Sequence, residues 1–288
     1  MTYYTIAGHS IVDSGNTLNR ITSFLPFVST ENTDKTLVLQ LQTGIPMVDG
    51  NIVPFSSQPF VGDDTICSIA FKDNTYILKY ERLTISPILM EITNHDGRFC
   101  IKTNMDEHTS GDIMRWCFLR PFVIAFLFHK TVSIHASVVT YKGKAVIFLG
   151  DSGTGKSTQS RLWLENIPDT ELLNDDTPLI RVMDDQTISV FGAPWSGKTP
   201  CYKNKSAPIA AIVRLSQAPH NQIKRLDKFA ALGALLHSCP KSLRLDETLL
   251  DHITAIFSAV LKQVPVYHFE CLPNADAARL VFKTVFED

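Results

Sequence analysis

The chain has 288 residues, 44% of them hydrophobic, which is enough for two domains that bury their cores without covalent staples. Its 27 Lys and Arg against 29 Asp and Glu leave a net charge of −2 with no long run of either sign. That balance excludes an extended nucleic-acid surface and a polybasic membrane anchor.

Residues 1–110 read as a β-rich, loop-rich N-terminal domain. Short alternating or β-branched runs predict strands at Thr36–Gln42, Thr65–Phe71, Tyr76–Tyr80, Ile88–Ile92 and Arg98–Thr103. Glu31-Asn32-Thr33-Asp34 and Ser56-Ser57-Gln58-Pro59 read as surface loops. Nothing in this half carries recognisable chemistry, and its expected work is substrate choice or contacts in a homo-oligomer. Residues 111–130 predict a bridging helix, Gly111–Phe128, with one apolar face from Met114, Cys117, Phe118, Phe122, Ala125 and Phe126. Pro121 in its middle predicts a kink or a split. The apolar block Pro121–Phe128 is too short to span a bilayer, and Met1-Thr2-Tyr3-Tyr4 lacks the regions of a secretory signal. Six scattered cysteines without a C-x-x-C pair predict buried free thiols in a reducing compartment, hence a cytoplasmic protein with no membrane association.

Residues 131–288 change to an α/β pattern. Strands are predicted at Ser133–Tyr141, Ala145–Leu149, Leu172–Leu173, Leu179–Val182, Ile188–Phe191, Ile209–Leu215 and Val264–Phe269, with helices at Thr158–Asn166, Lys228–Ser238, Glu247–Lys262 and Asp276–Phe286. Lys142-Gly143 reads as the turn of a hairpin between the first two strands, and Asp184-Asp185 as another hairpin turn. A hairpin beside a phosphate loop predicts a mixed sheet rather than a parallel one. Asp246 is the expected N-cap of the third of these helices.

Gly150-Asp151-Ser152-Gly153-Thr154-Gly155-Lys156-Ser157 fits G-x-x-x-x-G-K-[ST] between a buried strand and a helix. Glycines there let successive backbone N–H groups converge on an anion at a helix N-terminus. Lys156, expected in a solvated loop, reaches the β- and γ-phosphates, and Ser157 helps hold Mg²⁺, with Thr158 next along the nucleotide site. About twenty residues on, Asn174-Asp175-Asp176 ends an apolar run. That is how phosphate-loop enzymes present a metal-binding acid, and the second carboxylate can accept a proton from an attacking hydroxyl. His135, at the start of the hairpin, reads either as a partly buried structural histidine or as a pH-sensitive group near the γ-phosphate.

A second match, Gly192-Ala193-Pro194-Trp195-Ser196-Gly197-Lys198-Thr199, fails on context. Pro194 lacks an N–H where donors are needed, Trp195 is bulky, and no helical pattern follows. It reads as a structural loop or as a substrate loop bearing Trp195 and Lys198, with Lys203 and Lys205 as further phosphate contacts or solvated lysines.

His135-Ala136, the loop Gly150–Ser157 and the pair Asp175-Asp176 together resemble the HPr kinase/phosphorylase family, and more closely its relatives that keep only the catalytic domain. The resemblance covers residues 131–285, a little over half of the chain. It implies a core similar to the nucleotide-binding part of phosphoenolpyruvate carboxykinase, ATP with a divalent metal such as Mg²⁺, and transfer to a hydroxyl of a protein, peptide or small molecule. By match, Lys156 and Ser157 take nucleotide and metal roles, Asp175 and Asp176 the metal and base roles in either order, and His135 a phosphate-proximal role. Where HPr kinases carry Glu-x-Arg-Gly, this chain reads Phe191-Gly192-Ala193-Pro194-Trp195-Ser196-Gly197-Lys198, so the resemblance does not carry over HPr as acceptor or the reverse reaction. The alternative to a kinase is a nucleotide-sensing regulatory module without catalysis; a decarboxylating enzyme is the weaker third.

Overall fold

A computed structural model describes residues 1–30, 37–44, 53–59, 65–82 and 85–287. The loop expected at Glu31–Asp34, and Thr36 of the first predicted strand, lie outside them. The protein is mixed α/β and divides into two compact units, Met1–His129 with Lys241–Leu250, and Lys130–Pro240 with Asp251–Asp288.

The first unit is built on one mixed sheet. Its strands are β1 (Thr2–Ile6), β2 (His9–Asp13), β3 (Val28–Ser29), β4 (Leu37–Thr43), β5 (Ser56–Pro59), β6 (Ile66–Lys72), β7 (Thr75–Arg82), β8 (Ile85–His95) and β9 (Arg98–Thr103). They pair in the order β3-β1-β2-β4-β9-β8-β7-β6-β5, and β4 runs parallel to both its neighbours. The expected loop Ser56–Pro59 is instead an edge strand. Its polar composition hides the pairing with β6, and Pro59 is tolerated because an edge strand leaves one side without ladder bonds.

Helix α1 (Gly111–Leu127) differs from expectation in two ways. It is buried on nearly all sides from Cys117 onward, so it is a core helix rather than a one-faced one. It also runs through Pro121 without splitting. Proline leaves the carbonyl four residues earlier without its usual donor. That carbonyl belongs to Cys117, and the Tyr80 hydroxyl donates to it at 2.8 Å. The helix lies in the first unit.

The second unit holds β10 (Thr131–Ser133), β11 (Ala136–Tyr141), β12 (Lys144–Leu149), β13 (Thr170–Asp176), β14 (Leu179–Val182), β15 (Ile188–Phe191), β16 (Ser206–Gln217), β17 (Gln222–Arg225) and β18 (Val266–Cys271). The order is β10-β14-β15-β16-β12-β11-β13, with β18 beside β16 and β17 beside β18. Central β12 is antiparallel to β11 and parallel to β16, so the sheet is mixed as its hairpin predicts. The single strand expected over Ser133–Tyr141 is two. β10 pairs with β14 while β11 pairs with β12 and β13, and the chain changes partner at Ile134-His135. Lys142 and Gly143 both have positive φ, as the tight hairpin turn demands.

Helices α2 (Lys156–Asn166), α3 (Lys228–Ser238), α4 (Glu247–Gln263) and α5 (Ala275–Phe286) complete the chain. Asp246 caps α4 by accepting from the Leu249 N–H at 2.9 Å. The core against β12 joins Phe148, Val213 and Phe269 to Trp163 of α2 and Ala278 of α5. Trp163 is fully buried, 5.9 Å from Phe148 and 6.0 Å from Phe282. Truncating such a side chain costs about 3–5 kcal/mol, so α2 and the loop that enters it are firmly seated. Among the described residues no helix is long and apolar enough to cross a membrane. All six cysteines are free, and five of them are buried.

Candidate functional site

The phosphate loop leaves the C-terminal end of β12, whose residues Ala145–Leu149 are all at most 1% exposed. Gly150, Gly153 and Gly155 take φ of 149°, 84° and 106°, a region that side chains resist, so the loop needs glycine at these points. Gly155 is the left-handed N-cap of α2, which starts at Lys156 and leaves its first N–H groups facing the loop. The motif and the helix it predicts therefore coincide.

Lys156 corrects one expectation. It is buried, 8% exposed, rather than standing in a solvated loop. Its ammonium donates to the carbonyls of Gly150 and Asp151 at 2.8 and 3.0 Å. Burial lowers its pKa from the ordinary lysine value, and the carboxylates of Asp176, Asp151 and Asp175 oppose that drop. The aliphatic stem is packed while the charged end spans the loop's own carbonyls. Ser157, one residue on, is exposed.

β13 runs through the aspartate pair instead of stopping at Leu173, placing Asp175 opposite Ser137 and Asp176 opposite Ala136. A bulge lies just before them, where Val138 pairs with Asn174 but Val139 with Leu172. Such a bulge re-aims the side chains that follow it. Asp175 is buried, and its Oδ1 has no hydrogen-bond partner. Asp176 accepts from the Thr177 hydroxyl at 2.6 Å and meets His135 Nδ1 at 3.3 Å. Burial raises the Asp176 carboxyl, but hydrogen bonds from His135 and Thr177 and the charges of His135 and Lys156 outweigh it, and its pKa falls below the usual range. His135 is half-exposed, and its backbone N–H donates to the Ser238 carbonyl at 2.8 Å.

The rejected loop lies against this pair. The Gly197 N–H donates to the Asp175 carbonyl at 3.1 Å, Ser196 bridges to Asp176, and Asn174 Nδ2 donates to the Trp195 carbonyl at 2.9 Å. Trp195 is completely buried and Lys198 is exposed. Lys203 and Lys205 sit 3.7 and 3.1 Å from Glu171, and Lys203 also donates to the Leu172 carbonyl at 2.6 Å. Both ammonium groups are thus engaged at the start of β13.

Two contributions escape sequence reading. Asn174 Oδ1 accepts from the N–H groups of Asp176 and Thr177, fixing the turn that presents the pair. His237, at the end of α3, lies 2.7 Å from Asp151 inside the phosphate loop. Its hydrogen bond, then its charge, hold the Asp151 carboxyl below the ordinary range. No motif points to His237, because 86 residues separate the partners. Beside the loop opens a pocket of about 530 Å³ whose lining includes Gly153, Gly155, Thr158, Gln217, Cys271 and Pro273, a size suited to a small organic ligand.

The arrangement offers an anion cradle, a cation at its rim, and two carboxylates with a histidine beside it. Among the described residues no three His, Cys, Asp or Glu side chains form a metal cluster of their own. Mg²⁺ bound through one or two carboxylates and substrate phosphates does not require one. The unpartnered, buried Oδ1 of Asp175 fits such an ion, since a buried carboxylate oxygen without a donor is costly. The chain matches no protein-family model and no curated protein.

Proposed function

We propose that the second unit is an ATP- and Mg²⁺-dependent kinase acting on a hydroxyl acceptor, on a core of the HPr kinase and phosphoenolpyruvate carboxykinase type. The observation that carries this reading is the convergence of Lys156, the adjacent Asp175 and Asp176, and His135, from three separate segments, around one glycine-rich loop. The loop N–H groups and Lys156 bind the triphosphate, and the neighbouring pocket takes the nucleoside. Ser157 and the aspartates would hold Mg²⁺, which would neutralise charge on the phosphates.

One aspartate receives the proton of the acceptor hydroxyl as its oxygen bonds to the γ-phosphorus. The bond to the bridging oxygen breaks, and ADP leaves with that electron pair. His135 fixes the orientation of Asp176 and keeps it ionised, ready to take the proton. The Trp195 loop holds the aspartate strand end in place, so its role is positioning. Catalysis is then mainly orientation and charge stabilisation. An Asp176 carboxylate held ionised beside the loop favours a kinase over a nucleotide sensor, which has no use for a proton acceptor.

The test is transfer of radiolabelled γ-phosphate to proteins and peptides of the source cells, beside a binding isotherm for Mg-ATP. Binding with labelled product supports the kinase. Binding without any labelled acceptor returns the sensor, and no binding overturns both.

A further inference from the structure

On β16, Val213 and Leu215 join the core around Trp163, as does Phe269 of β18. Side chains alternate along a strand, so Arg214 and His268 stand on the opposite face of the sheet. The register sets Arg214 opposite His268, and His268 opposite Lys224 of β17. Three basic side chains thus form a row across three adjacent strands. Strand spacing makes the row about 10 Å long, the span of roughly three extended residues. Arg214 pairs across β12 with Leu149, the residue before the phosphate loop. The row therefore runs from the loop's root to the outer strand.

Its charge is only partly offset: the Arg214 charge acts on the Asp151 carboxyl, and the Ser216 hydroxyl meets His268 Nε2 at 2.9 Å. Arg214 and Lys224 are exposed, and among the described residues neither has an ion pair. Glu270, on the same face two residues from His268, lies 3.5 Å from His220, Asp151 lies 2.7 Å from His237, and Asp227 caps α3 through the N–H groups of Phe229 and Ala230. Like charges on one sheet face repel each other, so an acidic ligand over Arg214 and Lys224 is favoured. Past the end of β17, Phe229 is 89% exposed next to the exposed Lys228. A bare aromatic ring beside cations suits a polypeptide partner, for which aromatic and basic residues dominate binding.

We infer that this face is a docking surface for an acidic polypeptide segment, whose carboxylates lie over Arg214, His268 and Lys224. Nucleic acid is the poorer occupant, because the row is one side chain wide on a chain of net charge −2. That the docked segment belongs to the phosphoryl acceptor rests on the kinase reading; the docking does not.

The experiment is fluorescence anisotropy on the full chain without nucleotide. It uses a short labelled peptide rich in Asp and Glu with one Ser, beside its Asn/Gln counterpart. The acidic peptide is expected to bind and the neutral one not. Arg214→Gln combined with Lys224→Gln should weaken binding about tenfold, as should added salt, with Mg-ATP binding and circular dichroism unchanged. Equal binding of both peptides, undiminished binding in the double variant, or tighter binding of a single-stranded oligonucleotide of equal charge overturns the proposal. Docking that persists while the Ser is never phosphorylated supports the surface and counts against the kinase alone.

Discussion

Two loops of the second unit satisfy the same eight-residue pattern, yet their glycines do different work. In Gly150–Ser157 the glycines supply positive φ, and the backbone curls into a cradle at the start of α2. In Gly192–Thr199 neither Gly192 nor Gly197 has positive φ. They are needed because backbone passes close by. A Cβ on Gly192 would run into the Lys203 carbonyl oxygen, and one on Gly197 would lie 2.8 Å from the Asp175 carbonyl oxygen. Trp195 fills the space beneath, fully buried. One loop curls into an open cradle, and the other is shaped around the protein itself. A pattern of residue types cannot separate those uses; the strand before it and the helix after it can.

The largest expected effect concerns what the second loop supports. Asp175→Asn and Asp176→Asn keep the side-chain volume but remove the charge, and at least one should lower phosphoryl transfer by about 10²–10⁴-fold with Mg-ATP binding little changed. Transfer that survives in both would leave the second loop holding nothing catalytic. Next comes the cradle. Lys156→Ala removes a charge-assisted donor and should weaken Mg-ATP binding by about 10- to 100-fold in calorimetry, with the fold retained by circular dichroism. Unchanged affinity in a folded variant would mean that the first loop is not the nucleotide site.

Gly197→Ala sharpens the contrast. A methyl group forced against the Asp175 carbonyl should cost about 1–3 kcal/mol in denaturant unfolding and slow transfer more than it weakens ATP binding. Equal losses in both would make the second loop part of the nucleotide site after all. His135→Ala acts through pH. The Asp176 carboxyl is depressed in the folded state, so its stabilisation is full above the unfolded carboxyl's pKa and is lost as pH falls through the lower folded value. Without His135 that loss begins at higher pH, shifting the acid limb of the unfolding curve upward by no more than ~1 kcal/mol in stability. The smallest effect is Lys198→Ala, whose exposed ammonium should leave Mg-ATP affinity unchanged.

How much of this was legible in the residues follows the same division. The phosphate loop, the helix behind it and α3, Lys228–Ser238, lie where local pattern puts them, because each is set by neighbours in the chain. The aspartate pair was legible by its distance from the loop. The strand around it was not, since Asn and Asp are poor strand formers and stay in β13 only through pairing with β11. β5 and β17 were missed for the same reason: both are short, polar edge strands defined by a partner. The unsplit α1 depends on a Tyr80 hydroxyl 37 residues from the carbonyl it serves. His237 against Asp151 is the same kind of case at the candidate site. Residues that act by contact across the fold leave no spacing to read.

The assignment of Lys241–Leu250 to the first unit bears on how the protein is made. A ribosome releases Met1–His129 first, and domains commonly fold as they emerge. Here the early segment lacks part of its unit until late in synthesis. The Tyr76 hydroxyl lies 3.4 Å from Asp246 Oδ1, a partner translated 170 positions later. Before that partner can arrive, the phosphate loop, the aspartate pair and α3 have all been synthesised. Nascent chains stalled shortly after His129 should accordingly be more open to protease around Tyr76 than chains stalled beyond Leu250. A gene cut at the visible boundary would separate the first unit from its own last piece.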